Sequence, residues 1–170
     1  MTLPDRFSIL VVTLSDRAFS GEYSDLSGPR IAGRLNLFMN ESGWECDLTC
    51  RLLPDDSGRL AETLLEARGR YNIIFTTGGT GIGPRDITVE TVAPLLSKEI
   101  PGIMEFIRVK YGSLNPGALL SRGVAGLMGG SLIYTLPGSV RAVDEYLDEI
   151  LKTLKHTILM QYGIDTHART

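Results

Sequence analysis

The sequence predicts an α/β fold, a three-layer αβα sandwich with a mostly parallel central sheet and a β-hairpin, built as one domain over residues 1–163. Three features carry that reading. Apolar runs of strand length alternate with segments of helical period, the order of a βαβ sheet. The first run, residues 8–14, is almost uninterrupted, as suits a parallel strand covered on both faces. Late in the chain Gly129-Gly130 divides two apolar runs, which is a hairpin signal.

The elements follow in order. After residues 8–14 come Ser15-Asp16-Arg17 and a polar loop reaching Gly28. Pro29 suits the first turn of a helix capped by Ser27 or Gly28. Ile31, Leu35 and Phe38 or Met39 mark its buried side, and Gly43 ends it. Residues 45–53 read as a second strand, and Pro54-Asp55-Asp56-Ser57 as the loop that opens a helix with Leu60, Leu64 and Ala67 on one side. Residues 72–76 form the third strand. Two short helical pieces follow at about 88–96 and 101–111, the second with Ile103, Phe106 and Ile107 on one stripe. Residues 121–128 and 131–136 make the hairpin. Pro137-Gly138-Ser139 stops the strand and caps a last helix, where Val143, Leu147, Ile150, Leu151, Leu154 and Ile158 keep the i, i+3, i+4, i+7 spacing. Residues 164–170 are a polar tail expected to fray.

A length of 170 residues suits a single domain with a substantial core. The net charge is −3 and no Lys/Arg run occurs, which argues against nucleic acid as a partner but leaves room for a small anion. The chain has neither a signal-peptide pattern nor an apolar stretch of roughly 18 residues, so no membrane association and a cytoplasmic location are expected. Cys46 and Cys50 lack a neighbouring histidine or second cysteine pair and read as reduced apolar filler rather than a zinc site or a disulfide.

Chemistry concentrates in Thr76-Thr77-Gly78-Gly79-Thr80-Gly81-Ile82-Gly83-Pro84-Arg85-Asp86, between the third strand and a helix. A strand, a glycine loop and a helix N-terminus together present backbone N–H groups to an anion. Thr76, Thr77 and Thr80 add hydroxyls, Arg85 a positive charge and Asp86 a carboxylate. No Lys follows the glycines, so the P-loop pattern fails, and Pro84 stands where a dinucleotide fingerprint needs its last glycine. The only histidines are His156 in the last helix and His167 in the tail, which leaves no histidine base for a serine or cysteine nucleophile. Phosphate chemistry done by positioning and a metal remains. Asp55, Asp56 and Asp86 fit helix caps as well as functional carboxylates, and Arg17 and Arg85 fit plain surface charges. The functional reading rests on convergence: ligands collect at the carboxyl ends of parallel strands, where Ser15-Asp16-Arg17, Asp55, the glycine loop and Pro137-Gly138-Ser139 would share one rim.

Thr76-Thr77-Gly78-Gly79-Thr80-Gly81 followed by Pro84-Arg85-Asp86-Ile87-Thr88 resembles the signature of the molybdopterin adenylyltransferase (MogA/MoaB-like) family of molybdenum cofactor biosynthesis. Ser15-Asp16-Arg17, Leu53-Pro54-Asp55, Pro101-Gly102, Leu120-Ser121-Arg122 and Leu136-Pro137-Gly138-Ser139 extend the likeness over nearly the whole chain. The resemblance implies transfer of AMP from ATP to the terminal phosphate of molybdopterin, with Mg²⁺ required and pyrophosphate released. It places Asp55 and Asp86 as the catalytic and Mg²⁺-organising carboxylates. It implies molybdopterin or ATP contacts from Ser15, Asp16, Arg17, Thr77, Gly78, Gly79, Thr80, Gly81, Arg85, Ser121, Pro137, Gly138 and Ser139. It also implies a homotrimer, or a hexamer of two trimers. Residues 121–126 look more like the MoaB branch, some of whose members have no clear activity, so a protein that binds molybdopterin without adenylating it is the alternative. Residues 84–90 look like the active branch, apart from Val89 in place of a frequent proline. A third reading, from the related domain of nucleotide-cleaving pyrophosphatases, is disfavoured because 170 residues leave no room for a further catalytic domain.

Overall fold

The computed structural model describes residues 2–164; most of the polar tail and His167 fall outside them. The sheet runs β2 (Glu45–Leu53), β1 (Arg6–Leu14), β3 (Ile73–Thr77), β6 (Ser131–Leu136), β5 (Ala125–Met128), β4 (Lys98–Glu99). The first four are mutually parallel, and β5 and β4 add antiparallel pairs at one edge. This is the mostly parallel sheet with a hairpin that the sequence predicts. The chain passes from β1 out to β2 and then returns to β3 on the other side of β1, so the topological switch lies between β1 and β3.

Alternate side chains of β1 enter two separate cores, as the two-residue strand period requires. Phe7, Ile9 and Val11 pack on α2 (Ser27–Glu41), α5 (Pro101–Gly112) and α6 (Val140–Gln161). Leu10, Val12 and Leu14 pack on α3 (Ser57–Ala67) and α4 (Thr88–Val92). Helices on both faces explain why β1 and β3 read as unbroken apolar runs while edge strand β2 is largely exposed.

Several boundaries differ from the sequence reading, each for a local reason. A short helix α1 (Asp16–Phe19) forms inside the expected loop, with Ser15 Oγ accepting the Ala18 N–H at 3.2 Å. The cap position of α2 is Leu26, not Ser27 or Gly28, and makes no side-chain bond; from the residue before it the Asp25 carboxylate accepts the Gly28 N–H at 3.1 Å and the Thr13 hydroxyl at 2.7 Å. The piece expected at 88–96 stays α-helical only through Val92, then tightens into a 3-10 turn at Ala93–Leu95 that contains Pro94. On α5 the buried stripe is Met104, Ile107 and Tyr111, and Phe106 is turned to solvent. The strand expected from residue 121 starts only at Ala125. Ahead of it a 3-10 turn spans Pro116–Leu120, and the Val124 N–H is taken by Thr135 Oγ1 at 2.6 Å. Cys46 and Cys50 are free thiols; Cys50 is exposed, so it fills no core. No helix of the described residues is long and apolar enough to cross a membrane.

One buried charge ties the helical layer together. Glu149 of α6, only 4% exposed, accepts from Lys110 Nζ at 2.6 Å and Lys152 Nζ at 2.9 Å. The two ammonium groups hold its carboxyl below the ordinary glutamate value. A carboxylate depressed on folding contributes stability above its unfolded pKa and loses it as pH falls through the folded value. Glu149→Gln is therefore expected to cost about 1–2 kcal/mol near neutral pH, both lysines being partly solvated. The gap between wild type and variant should close on acidification, as thermal melts from neutral pH to below the carboxylate range will check.

Candidate functional site

A cleft of about 720 Å³ opens over the carboxyl ends of the four parallel strands. β1 delivers Ser15, Asp16 and Arg17; β2 delivers Asp55; β3 delivers Gly78 to Asp86; β6 delivers Pro137, Gly138 and Ser139. Ser121 closes one side. The candidates from the sequence line the cleft, except Thr76, Thr77 and Asp56. β3 runs one residue further than expected, so Thr76 and Thr77 are strand residues buried from both faces. The Thr77 hydroxyl is used internally, donating to the Pro137 carbonyl at 2.7 Å and tying the ends of β3 and β6 together. Of the three threonine hydroxyls only Thr80 stands at the cleft, 3.4 Å from Ser121 Oγ.

The glycine loop is held from behind by four successive carbonyls. Gly78 O accepts from Thr88 Oγ1 at 2.8 Å and Gly79 O from the Thr88 N–H at 3.0 Å. Thr80 O accepts from the Arg122 N–H at 2.9 Å and Gly81 O from Arg122 Nε at 2.8 Å. In a trans peptide the carbonyl and the next N–H point to opposite sides. Fixing four successive carbonyls therefore turns the N–H groups of Gly79, Thr80, Gly81 and Ile82 the other way, toward the side on which Gly79, Thr80 and Gly81 line the cleft. None of these four N–H groups has a protein acceptor among the described residues. Gly78 and Gly79 take φ values of +99° and +64°, the left-handed region that glycine enters without strain.

The aspartates, whose roles the sequence left open, now separate. Asp56 is the cap of α3, accepting the Arg59 N–H at 2.8 Å. Asp55 instead forms a reciprocal pair with Asp16: the Asp16 N–H donates to Asp55 Oδ2 at 3.2 Å, and the Asp55 N–H to Asp16 Oδ1 at 2.9 Å. This staples the ends of β1 and β2. Asp86 does not cap α4, whose cap position is Ile87 with no side-chain bond; its Oδ2 accepts the Gly83 N–H at 2.7 Å. Burial pushes the Asp55 carboxyl up from the usual aspartate value. The Asp16 N–H opposes that shift, the Asp16 and Asp86 carboxylates add to it, and Arg85 opposes it. The Asp16 and Asp86 carboxylates are thus each close enough to repel that of Asp55, with Arg85 Nη1 3.4 Å from Asp16 Oδ2 as a partial counter-charge.

Ser139 caps α6, its hydroxyl 3.3 Å from the Ala142 N–H. The Ser121 hydroxyl also bonds the Tyr146 hydroxyl at 2.9 Å. Sequence reasoning missed Tyr23, whose ring lies 5.1 Å from the Arg17 guanidinium and whose hydroxyl is 2.9 Å from Ser15 Oγ. A lone tyrosine in a polar loop was the only available signal. Thr88 and Arg122 stand within motifs read from the sequence but were not assigned to the loop carbonyls; the Arg122 contact spans 41 residues, which no local pattern marks.

Relatives share this architecture. A family model described as a probable molybdopterin binding domain matches residues 10–156. The molybdopterin adenylyltransferase of Pyrococcus furiosus is 34% identical over 162 residues, which is 90% of this chain and 92% of that protein. Gephyrin of Dictyostelium discoideum is 37% identical over 155 residues, 87% of this chain; the match spans only 21% of that protein's length. The crystal structure of the tungsten cofactor synthesizing protein MoaB from Pyrococcus furiosus superposes with a TM-score of 0.79 at 33% identity, covering 96% of this chain and 100% of the other. The match takes in the ends of all four parallel strands and the glycine loop between them, and the chain belongs to the molybdopterin-binding domain family of molybdenum cofactor biosynthesis proteins.

Proposed function

We propose that this protein is a molybdopterin adenylyltransferase, moving AMP from ATP to the terminal phosphate of molybdopterin with release of pyrophosphate. The observation that carries the reading is the row of unpaired N–H groups at Gly79, Thr80 and Gly81, residues that line a cleft also holding Arg17, Arg85, Asp55 and Asp86. Such a row binds phosphate oxygens through fixed donors that need no reorganisation as charge builds. Arg17 and Arg85 offset the charge of the bound phosphates. A phosphate nucleophile is already anionic at neutral pH, so the transfer needs alignment rather than a general base. A cleft without histidine suits that requirement.

Asp55 and Asp86 fit Mg²⁺. Their donors are carboxylate oxygens, the hard ligands that Mg²⁺ prefers, and the mutual repulsion with Asp16 is what a cation relieves. Among the described residues no group of three or more Asp, Glu, His or Cys side chains forms a metal cage. A cation held by these two carboxylates would fill its shell with water and substrate phosphate oxygens. When bound, it supplies charge neutralisation at the reacting phosphates.

The test is incubation with molybdopterin, ATP and Mg²⁺, following pyrophosphate and adenylated pterin. Both products are expected; a protein that binds molybdopterin and releases no pyrophosphate is the binding module instead.

A homotrimer is also proposed. Phe106, Val109, Leu114, Leu119 and Leu120, on α5 and the turn after it, are each more than half exposed. That apolar surface is costly in a monomer and suits a second copy of this chain. Sedimentation equilibrium is expected to give three times the chain mass, and Val109→Glu to shift the population toward monomer. A wild type that stays monomeric at micromolar concentration contradicts this.

A further inference from the structure

Arg122 does not line the cleft, yet it holds half of the glycine loop's anchored carbonyls. Its backbone N–H fixes Thr80 O, and its Nε reaches Gly81 O at 2.8 Å across 41 residues of sequence. Its two terminal nitrogens engage both carboxylate oxygens of Glu90 on α4. The side chain is thus a strut between α4 and the peptide joining Gly81 to Ile82.

We propose that Arg122 is a positioning residue that sets the phosphate-binding N–H row, with Glu90 fixing the guanidinium that does so. The proposal deepens the reading of the loop as a phosphate cradle and rests on it. Rotation of the Gly81–Ile82 peptide turns ψ of Gly81, which has no Cβ to oppose it, and φ of Ile82, so the glycine side of that peptide offers little resistance. With the Gly81 carbonyl released, that peptide can turn its oxygen toward the bound phosphate, exchanging a donor for a repelling acceptor. The geometry demands a planar fork: one nitrogen for Gly81 and two for Glu90 at fixed angles. A lysine keeps the charge and cannot make the three contacts together. That separates positioning from plain electrostatics.

ATP binding in the presence of Mg²⁺, measured by calorimetry alongside thermal melts, tests this without depending on turnover. Arg122→Gln and Arg122→Lys are both expected to weaken ATP about tenfold, with thermal midpoints only a few degrees below wild type. Glu90→Gln is expected to weaken it about threefold, the loss of one charged partner of the strut. ATP affinity within twofold of wild type in Arg122→Gln overturns the proposal. So does wild-type affinity restored by lysine, since charge alone would then suffice. If Arg122→Gln fails to fold, the exposed Glu90→Gln variant decides by the same criterion, unchanged affinity overturning the strut. A wild type that binds neither ATP nor pyrophosphate overturns the cradle and the strut together. A wild type that binds ATP but releases no pyrophosphate removes the transferase reading, and the Arg122 comparison still stands.

Discussion

Asp86→Asn is expected to lower turnover at least about a hundredfold, the scale seen when charge stabilisation at a reacting centre is removed, while the protein melts within about two degrees of wild type. The contrast follows from what the side chain does in the fold. Its Oδ2 accepts one hydrogen bond, from the Gly83 N–H at 2.7 Å, and an asparagine carbonyl oxygen can accept the same bond. It caps no helix, because the cap position of α4 is Ile87. The substitution therefore removes the negative charge and leaves the loop intact. Steady-state pyrophosphate release, normalised to folded protein, is the measurement. Activity per folded molecule close to wild type would reduce Asp86 to a loop-stabilising residue.

Gly78→Ala is expected to be the most damaging single substitution in the loop, costing about 3 kcal/mol or more from combined backbone strain and overpacking. At φ +99° any side chain is strained, and a Cβ there would collide with the carbonyl oxygen of Leu14 at the end of β1. The residue cannot move aside, since its N–H is bonded to Leu136 O at 3.0 Å on the other flank. Backbone of β1 and β6 encloses it on two sides. Gly81 makes an instructive comparison: its φ is not positive, and the group nearest an added Cβ would be the Asp86 carboxylate, at 2.8 Å. Gly81→Ala should therefore fold nearly as well as wild type and lose activity by displacing Asp86. Urea unfolding of the two variants checks the order; equal stabilities would show that the Leu14 carbonyl yields to the added methyl group.

Most of the fold was legible because it is written locally. The period of residues 8–14, the spacing of Val143 to Ile158 and the Gly129-Gly130 pair each specify an element from neighbours a few residues away. Gly78 and Gly79 announced a chain reversal, and both adopt positive φ. The errors at Phe106 and at residue 121 share one cause. Whether Phe106 or Met104 and Tyr111 join Ile103 and Ile107 on the inner side is decided by where the sheet lies, and where β5 begins is decided by Thr135 on the strand opposite.

The sequence by itself determined the strand, helix and loop order, the residues available at each strand end, and the distance along the chain from the glycine loop to both histidines. Only the tertiary structure decided that β1 sits between β2 and β3, bringing Asp16, Asp55 and the glycine loop to one rim. It alone buried Thr77, gave the cap of α3 to Asp56 rather than Asp55, and brought Arg122 to Gly81. The physical reason is range. Backbone preference and side-chain period act over a turn or two, whereas the direction of an N–H row is set by partners such as Thr88 and Arg122 that meet it only once the sheet has formed.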